Sequence, residues 1–419
     1  METHDVIVIG AGLAGLRAAE RLARAGLDVV VLEAAGAVGG RQRTDRVDGF
    51  LLDRGFQVLN PAYPAVRRWV DAQSLRMRAF PVGVRVRRAS GFAELAHPLR
   101  HPRRLRATLR SGLIGPRDAV ALARWTTPVL VRPAAVIGGA DRALRDGWDR
   151  VGLRGPLRTE VLEPFLSGVL AEDAGGTSDA FARLLVRMFI LGRPGVPDRG
   201  IAALPAQLAA YARAAGAGIR VSRRVGGLSA RGDRTEVSVD DAETMSARAV
   251  LVAVDPRALP ALTSLPAPAM KGLQTWWFAA EAVPAASPLL TVDGRRDGPI
   301  VNTAVMSATA PSYAPHGMHL VQATCLLGAG RPAATEAVVR RQLVELWGSE
   351  ASTWRLLRRD DIADALPAQP APLRTRRSVR AQPGVYVAGD HRDTASIQGA
   401  LVSGERGARA IIADLARTP

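Results

Sequence analysis

The chain has 419 residues, 47% of them apolar, and a formal charge of +17. That length exceeds what one hydrophobic core fills, so two structural domains are expected. No uncharged apolar run reaches the roughly 18 residues of a spanning helix, and Cys325, the single cysteine, excludes an internal disulfide and suits a reducing cytoplasm. No signal-peptide pattern opens the sequence: Glu2 and Asp5 lead straight into an apolar run. Of the 56 Lys and Arg residues only Lys271 is a lysine. The charge is thus an arginine bias, and without a nucleic-acid motif or an aromatic-plus-basic run no nucleic-acid partner is expected.

Asp5 to Gly10 reads as a short buried parallel strand, and Gly10-Ala-Gly12-Leu-Ala-Gly15 follows at once. Leu13 to Ala25 carries a helical pattern that stops at Gly26, and a second apolar run, Leu27 to Leu32, ends at Glu33. Strand, glycine turn, helix and strand within about thirty residues make the βαβ dinucleotide fingerprint. Gly10 makes the tight turn, Gly12 lets a pyrophosphate approach the backbone, and Gly15 lets helix and strand pack closely. The N–H groups of Leu13 and Ala14 at the helix start suit phosphate. Glu33, with Ala34 beside it, can accept hydrogen bonds from a ribose diol. This motif alone does not separate NAD from FAD.

Val38-Gly39-Gly40-Arg41 comes directly after the second strand, and Asp53-Arg-Gly55-Phe56-Gln57 lies a little further on. Here the sequence resembles the superfamily of FAD-dependent amine oxidases, protoporphyrinogen oxidases and carotenoid desaturases. The resemblance implies that Gly39, Gly40 and Arg41 follow the pyrophosphate. It implies too that Asp53, Gly55, Phe56 and Gln57 lie beside the isoalloxazine. Gly384-Val-Tyr-Val-Ala-Gly389-Asp390 is a further short strand, and Ser396-Ile397-Gln398-Gly-Ala400 opens a helix running to Leu415. In the family Gly389 and Asp390 would hold the ribityl and phosphate portion. The helix start at Ile397, Gln398 and Ala400 would meet the flavin ring, its dipole favouring negative charge there. A three-stranded meander after Gly218 carries Val225, matched to a valine touching the adenine. The implied cofactor is FAD, held non-covalently, because covalent relatives use a cysteine just before the final motif and Cys325 lies far upstream.

The expected fold class is α/β: a Rossmann-like FAD-binding domain with parallel sheet, βαβ unit and β-meander, interleaved with an α+β substrate domain. The former takes 1–78, 198–262 and 376–419; the latter takes 79–197, mainly helical after a hairpin near Val82–Phe92, and 263–375. Strand-like runs are Thr275–Ala279, Leu289–Val292, Ile300–Ser307 and Leu320–Leu327, followed by a helix at Ala334–Trp347. Two proline-bearing segments, Glu163–Leu170 and Gly200–Leu208, match stretches lining the site in the desaturase branch, or are ordinary helix starts.

The resemblance implies an FAD-dependent oxidoreductase that takes a hydride from a C–H bond of a small to medium, fairly apolar substrate to flavin N5. It forms C=C or C=N, with O2 or a quinone as acceptor. A flavin amine oxidase, a carotenoid isomerase and a non-catalytic FAD-binding protein are the alternatives. No aromatic residue stands near Ser396, where amine oxidases place one wall of an aromatic cage. Candidate catalytic residues are Gln57, Lys271, Trp277 and His391. Each has a plainer reading: a surface lysine for Lys271, packing for Trp277, a polar loop position for His391. The six histidines show no metal-ligand spacing. The basic run from His97 to Arg110 reads either as a peripheral contact with anionic lipid or as a solvated helix.

Overall fold

The structure is a computed structural model that describes residues 1–97, 100–240, 243–282, 284, 287–328 and 330–417. Pro98 and Leu99 of the basic run, and the last two residues of the chain, lie outside the described residues.

The N-terminal fingerprint folds as β1 (Glu2–Ile9), α1 (Leu13–Ala23) and β2 (Val29–Leu32). Val6, Val8 and Ile9 of β1 and all of β2 are buried, worth roughly 1.5–3 kcal/mol for each large side chain. β1 sits between β2 and the strand Glu243–Val252, parallel to both. The second half of Glu243–Val252 pairs in parallel with Val385–Val387, and its first half closes an antiparallel meander with Val225–Arg231 and Arg234–Val239. Gly218–Arg220 extends the sheet beyond β2. Strands from the start, middle and end of the chain therefore share one sheet.

The last helix, Ile397–Leu415, covers this sheet beside α1. Its backbone comes so close that a Cβ on Gly404 would stand 2.2 Å from the Ala14 carbonyl oxygen. A buried ion network ties the pair. Arg17 donates to Glu405 at 2.5 Å and to Glu20 at 2.6 Å, and its guanidinium lies 4.6 Å from the Trp69 ring centre.

The second sheet runs in the order Arg355–Pro367, Met270–Ala280, His319–Leu327, Ile300–Val305, Leu290–Asp293, Gly83–Arg88, Gly91–Ala96. Only Leu290–Asp293 and Gly83–Arg88 pair in parallel. The helix Glu336–Trp347 covers one face through Val339, Leu343 and Trp347, against Trp276, Phe278 and Val321. The fold is thus a Rossmann-like α/β layer interleaved with an α+β unit. The long edge strand Arg355–Pro367 is absent from the sequence reading. Its charges come as adjacent pairs, Arg358-Arg359 and Asp360-Asp361, set between Leu356-Leu357 and Ile362, so neither face reads as an apolar stripe and the strand suits a charged sheet edge.

Candidate functional site

β1 ends at Gly10, whose φ of +101° and closeness to Ala253 exclude a side chain. A Cβ on Gly15 would stand 2.0 Å from the Gly10 carbonyl oxygen, so helix and strand meet only without one. Gly12 differs: nothing lies within 4 Å of where its Cβ would be, and α1 begins there with no side-chain cap. Leu13 and Ala14, though buried, leave their N–H groups pointing out of the helix start. This is an open, electropositive cradle with room against the backbone.

Glu33 closes the far side. Its two carboxylate oxygens accept the N–H of Ala11 at 2.8 Å and of Ala35 at 2.9 Å. Each oxygen keeps lone-pair capacity for a further donor. Ala34 is exposed beside it. The segment leading to Val225 is bonded to the same loop, through Arg223 N–H on the Glu33 carbonyl and Ser222 N–H on that of Ala35. Val225 is half-buried against the apolar cluster that includes Val237, Val239 and Leu259.

Gly39 and Gly40 take φ of +129° and +59°, and a Cβ on Gly40 would lie 3.4 Å from the Gly12 Cα. Arg41 then crosses to the other end of the chain. It donates to Asp390 at 2.6 Å and to the Ala365 carbonyl at 2.8 Å. Burial opposes its charge, but the Asp390 carboxylate outweighs that and raises its pKa. Gly389, with φ of +154°, packs against the His391 ring. Ser396 caps the last helix by accepting the Gly399 N–H at 3.1 Å. Ile397 and Ala400 lie in that first turn, while the Gln398 side chain turns away and accepts the Ala65 N–H at 2.8 Å.

Both ring nitrogens of His391 are buried without a hydrogen-bond partner. Burial pushes its pKa down to about 4, with Asp390 opposing and nearby arginines reinforcing the shift. The ring is neutral near pH 7, so one ring nitrogen carries an N–H that can donate while the other can accept. Together the open Gly12 cradle, the uncapped helix start, Glu33 at the strand tip and these two orphaned nitrogens fit an adenine dinucleotide. The donors face phosphate, the carboxylate suits ribose, and His391 lacks the partner that a hydroxyl or phosphate oxygen would be.

The Asp53–Gln57 stretch sits against the second sheet. Asp53 is 1% exposed. It accepts from Thr44 at 2.6 Å, from Ile201 N–H at 3.0 Å and from Tyr313 at 2.9 Å. A Cβ on Gly55 would meet Ile362 at 2.9 Å, and Phe56 packs edge-on against Phe80. Gln57 is occupied: its amide donates to the carbonyls of Arg41 and Arg54 and accepts from Gln42. Gln57 therefore holds the GG-R stretch and the Asp53 stretch together and has no free amide hydrogen for substrate.

Register decides which side chains of Met270–Ala280 face this stretch. Trp277 and Ala279 cluster with Phe50, Leu52 and Tyr313, whereas Trp276 and Phe278 face the covering helix. Leu273, Thr275 and Trp277 share the inward face with Ile362, Asp360 and Arg358 of the edge strand. Trp277 is fully buried and donates to Asp360 at 3.2 Å. Arg358 reaches the carbonyls of Leu52 and Asp53. Lys271 is drawn aside, donating to Thr177 at 2.8 Å with Glu172 at 3.7 Å. Burial lowers its pKa against the pull of Glu172.

The inward face carries four residues that the sequence reading omits: Thr275, Asn302, Gln322 and Thr324, each no more than 3% exposed. The signal for two of them is visible in His319–Leu327, where Gln322 and Thr324 stand two apart in an otherwise apolar strand, and so on one face. The helix Glu163–Leu170 crosses this patch. A Cβ on Gly168 would meet the Asn302 amide nitrogen at 2.0 Å, which explains the glycine in that proline-bearing segment.

A family model described as flavin containing amine oxidoreductase matches residues 13–412. A hydroxysqualene dehydroxylase of Rhodopseudomonas palustris is 28% identical across 98% of this chain and 99% of its own. A putative flavin-containing monoamine oxidase of Mycobacterium tuberculosis is 48% identical, but over 15% of this chain and 14% of its own. The solved structure of a putative protoporphyrinogen oxidase from an Exiguobacterium species superposes with a TM-score of 0.72 at 19% identity, covering 99% of both chains. That last likeness is one of fold.

Proposed function

This chain belongs to the flavin-containing amine oxidoreductase family, its cofactor is FAD, and from that premise we propose that it oxidises a C–H bond in a fairly apolar substrate. The Gly10–Gly15 turn, Glu33, the GG-R stretch, Val225, Gly389–Asp390 and the start of the last helix would hold the FAD without a covalent bond. When bound, FAD supplies a two-electron hydride acceptor, or a donor once reduced. The observation that carries the substrate class is the inward sheet face beside Gly55. Leu273, Thr275, Trp277 and Ile362 present uncharged surface there, while the Asp360 carboxylate is bonded to Arg358 at 3.0 Å. Lys271 is tied to Thr177 and Glu172 and offers no free ammonium at the centre. A wall whose charges, Asp360 and Arg358, are spent on each other suits a hydrocarbon better than a polyamine, whose cations would need unspent anionic partners.

Oxidation leaves a C=C or C=N bond and releases one proton, with O2 or a quinone taking the electrons afterwards. The end-to-end match with a hydroxysqualene dehydroxylase favours a second reading, in which the substrate is a long hydroxylated hydrocarbon and the chemistry removes its hydroxyl group. Anaerobic spectra of the FAD-loaded protein separate the readings. Bleaching of the oxidised flavin by a polyene or long-chain alcohol supports oxidation. Reoxidation of the reduced flavin by a hydroxylated long-chain hydrocarbon supports the second reading. Bleaching by simple amines alone refutes an apolar substrate. Acid precipitation is expected to leave the yellow colour in solution.

The surface suits a water-insoluble substrate. Six of the ten exposed large hydrophobic residues among the described residues lie between Leu105 and Ile137, including Leu109, Val120 and Val131. On the helix Pro116–Val131, Arg117, Val120, Arg124 and Val131 share the outward face. Five arginines of this span, Arg106, Arg110, Arg117, Arg124 and Arg132, form no ion pair among the described residues. Its one acid, Asp118, is buried and accepts the Gly155 N–H. Aliphatic side chains between unpaired arginines fit an anionic lipid surface, where each cation contributes about 1 kcal/mol. No helix among the described residues is long and apolar enough to cross a membrane, so the contact would be peripheral. Co-sedimentation with phosphatidylglycerol vesicles at low salt, but not with phosphatidylcholine vesicles, is the expected result; no sedimentation with either refutes it.

A further inference from the structure

Four buried polar side chains stand together on the inward face of the second sheet. Thr275 lies opposite Thr324, Thr324 lies opposite Asn302, and Gln322 lies opposite Trp277. Apolar groups surround them: Leu273 and Leu326 on one side, Trp277, Ala279 and Leu320 on the other. Polar side chains in such a place are normally bonded to one another until their capacity is spent. Here the chain of bonds stops short. Thr324 donates to Gln322 Oε1 at 3.0 Å, and Gln322 Nε2 donates to Asn302 Oδ1 at 3.1 Å. At one end of this chain the Asn302 amide nitrogen meets no acceptor among the described residues. On the other side of Thr324, Thr275 Oγ1 is fully buried and has no partner at all. Leaving such a hydroxyl unmet costs stability, whereas a valine of the same shape would not. Two sets of hydrogen-bond donors thus remain unmet on the face that packs against Gly55 and Phe56.

We propose that Thr275 and Asn302, backed by Gln322 and Thr324, form an uncharged polar subsite that receives one neutral oxygen of an otherwise apolar substrate. This rests on the reading that the inward face is the substrate wall. The free groups select the ligand chemistry. An N–H2 and an O–H present three hydrogens and no formal charge, which suits a hydroxyl or carbonyl oxygen. They offer an ammonium too few acceptors and a plain hydrocarbon nothing. Gly168 explains how the subsite is roofed: only a residue without a side chain lets the Glu163–Leu170 helix lie over Asn302.

The test compares three C15 probes of one shape with the FAD-loaded protein: farnesol, farnesene and farnesylamine. Binding is read from the shift of the flavin absorption bands, and folding from the thermal midpoint. Wild type is expected to bind farnesol about tenfold more tightly than farnesene, the factor one satisfied buried hydrogen bond supports. Thr275→Val should bring the two within about threefold, while its thermal midpoint stays level or rises. Thr275→Ser should restore the preference. A Thr275→Val protein that keeps the wild-type preference overturns the proposal, as does a wild type with no preference; the open groups then hold a structural water only. Tighter binding of farnesylamine than of farnesol also overturns it. Redox behaviour is scored apart. A Thr275-dependent alcohol preference in a protein whose flavin never cycles leaves the subsite standing and the proposed oxidation refuted. Flavin that cycles with a hydrocarbon, without that preference, does the reverse.

Discussion

Asp53→Asn tests how the Asp53–Gln57 loop is held. Asp53 is 1% exposed, and its pKa is raised from the ordinary 3.8 to about 6. Burial is the largest cause; hydrogen bonds from Thr44, Ile201 and Tyr313 oppose it. A gap of roughly two units corresponds to about 3 kcal/mol between the protonation states. The folded pKa lies above the unfolded one, so the folded state favours the protonated acid. The associated stability is fully present below about pH 4 and is lost as pH rises toward and through 6. Asparagine removes the ionisation and keeps the shape. Its carbonyl oxygen can accept from Thr44 and Ile201, and its amide can donate to a Tyr313 hydroxyl that rotates to accept. Weaker neutral hydrogen bonds cost about 1 kcal/mol. Relative to wild type, the variant should be slightly less stable at pH 4 and about 2 kcal/mol more stable at pH 7.5. Denaturant midpoints followed by tryptophan fluorescence at several pH values give the difference directly. A difference that stays constant between pH 4 and 7.5 would refute the buried-acid account, because it would place the Asp53 pKa at its ordinary value in both states.

His391→Asn should behave oppositely. Its folded pKa of about 4 lies below the usual 6.5, so stability present above pH 6.5 is lost as pH falls toward 4, by about 3 kcal/mol, and the variant should show a flatter acid limb in the same midpoint series. Glu405→Gln should cost about 3 kcal/mol in chemical denaturation by leaving the buried Arg17 partly uncompensated. Glu405 has its pKa lowered by Arg17 and Arg409 despite burial, so its contribution above the carboxylate range disappears as pH falls below it. Gly12→Ala should keep a wild-type circular dichroism spectrum yet purify with at least tenfold less flavin, because its Cβ enters the open space proposed for the phosphates. Gly15→Ala, whose Cβ strikes the Gly10 carbonyl, should fail in both measurements; equal flavin content in the two variants would remove the distinction.

The parts of this fold visible in the sequence are those where the backbone itself is constrained. Gly10 and Gly15 stand where a Cβ would collide with backbone, Gly39 and Gly40 where φ is positive, and such requirements surface as residue identity at fixed spacing. Strand periodicity likewise exposed β1, β2 and the buried strands of the second sheet. The edge strand Arg355–Pro367 escaped because the pairs Arg358 with Asp360 and Arg359 with Asp361 break up its apolar residues on both faces, while its hold on the sheet is backbone pairing with Met270–Ala280. Those pairs leave no apolar stripe to read. The polar subsite escaped for a different reason. Thr275, Asn302 and Thr324 belong to three strands and become neighbours only through register, which no local pattern encodes. Gln57 and Lys271 carry chemistry-bearing groups whose partners, the Arg41 carbonyl 16 residues away and Thr177 94 residues away, no local pattern reveals.

The contacts between the two ends of the chain bear on how the cofactor and the fold depend on each other. Arg41 reaches Asp390, Arg17 reaches Glu405, and Gly404 lies on Ala14. Each joins a residue of the first fifty to one of the last thirty. The proposed FAD site draws on those same two stretches as well as on the Val225 segment, so it is complete only when both ends are docked. A ligand that binds the docked arrangement and not the open one adds its binding free energy to the docking equilibrium. The buried Arg17–Glu405 pair then does more than hold two helices. On the proposed FAD reading it biases how much of the complete site is formed before FAD arrives, and FAD binding in turn favours the docked state in which the pair is buried.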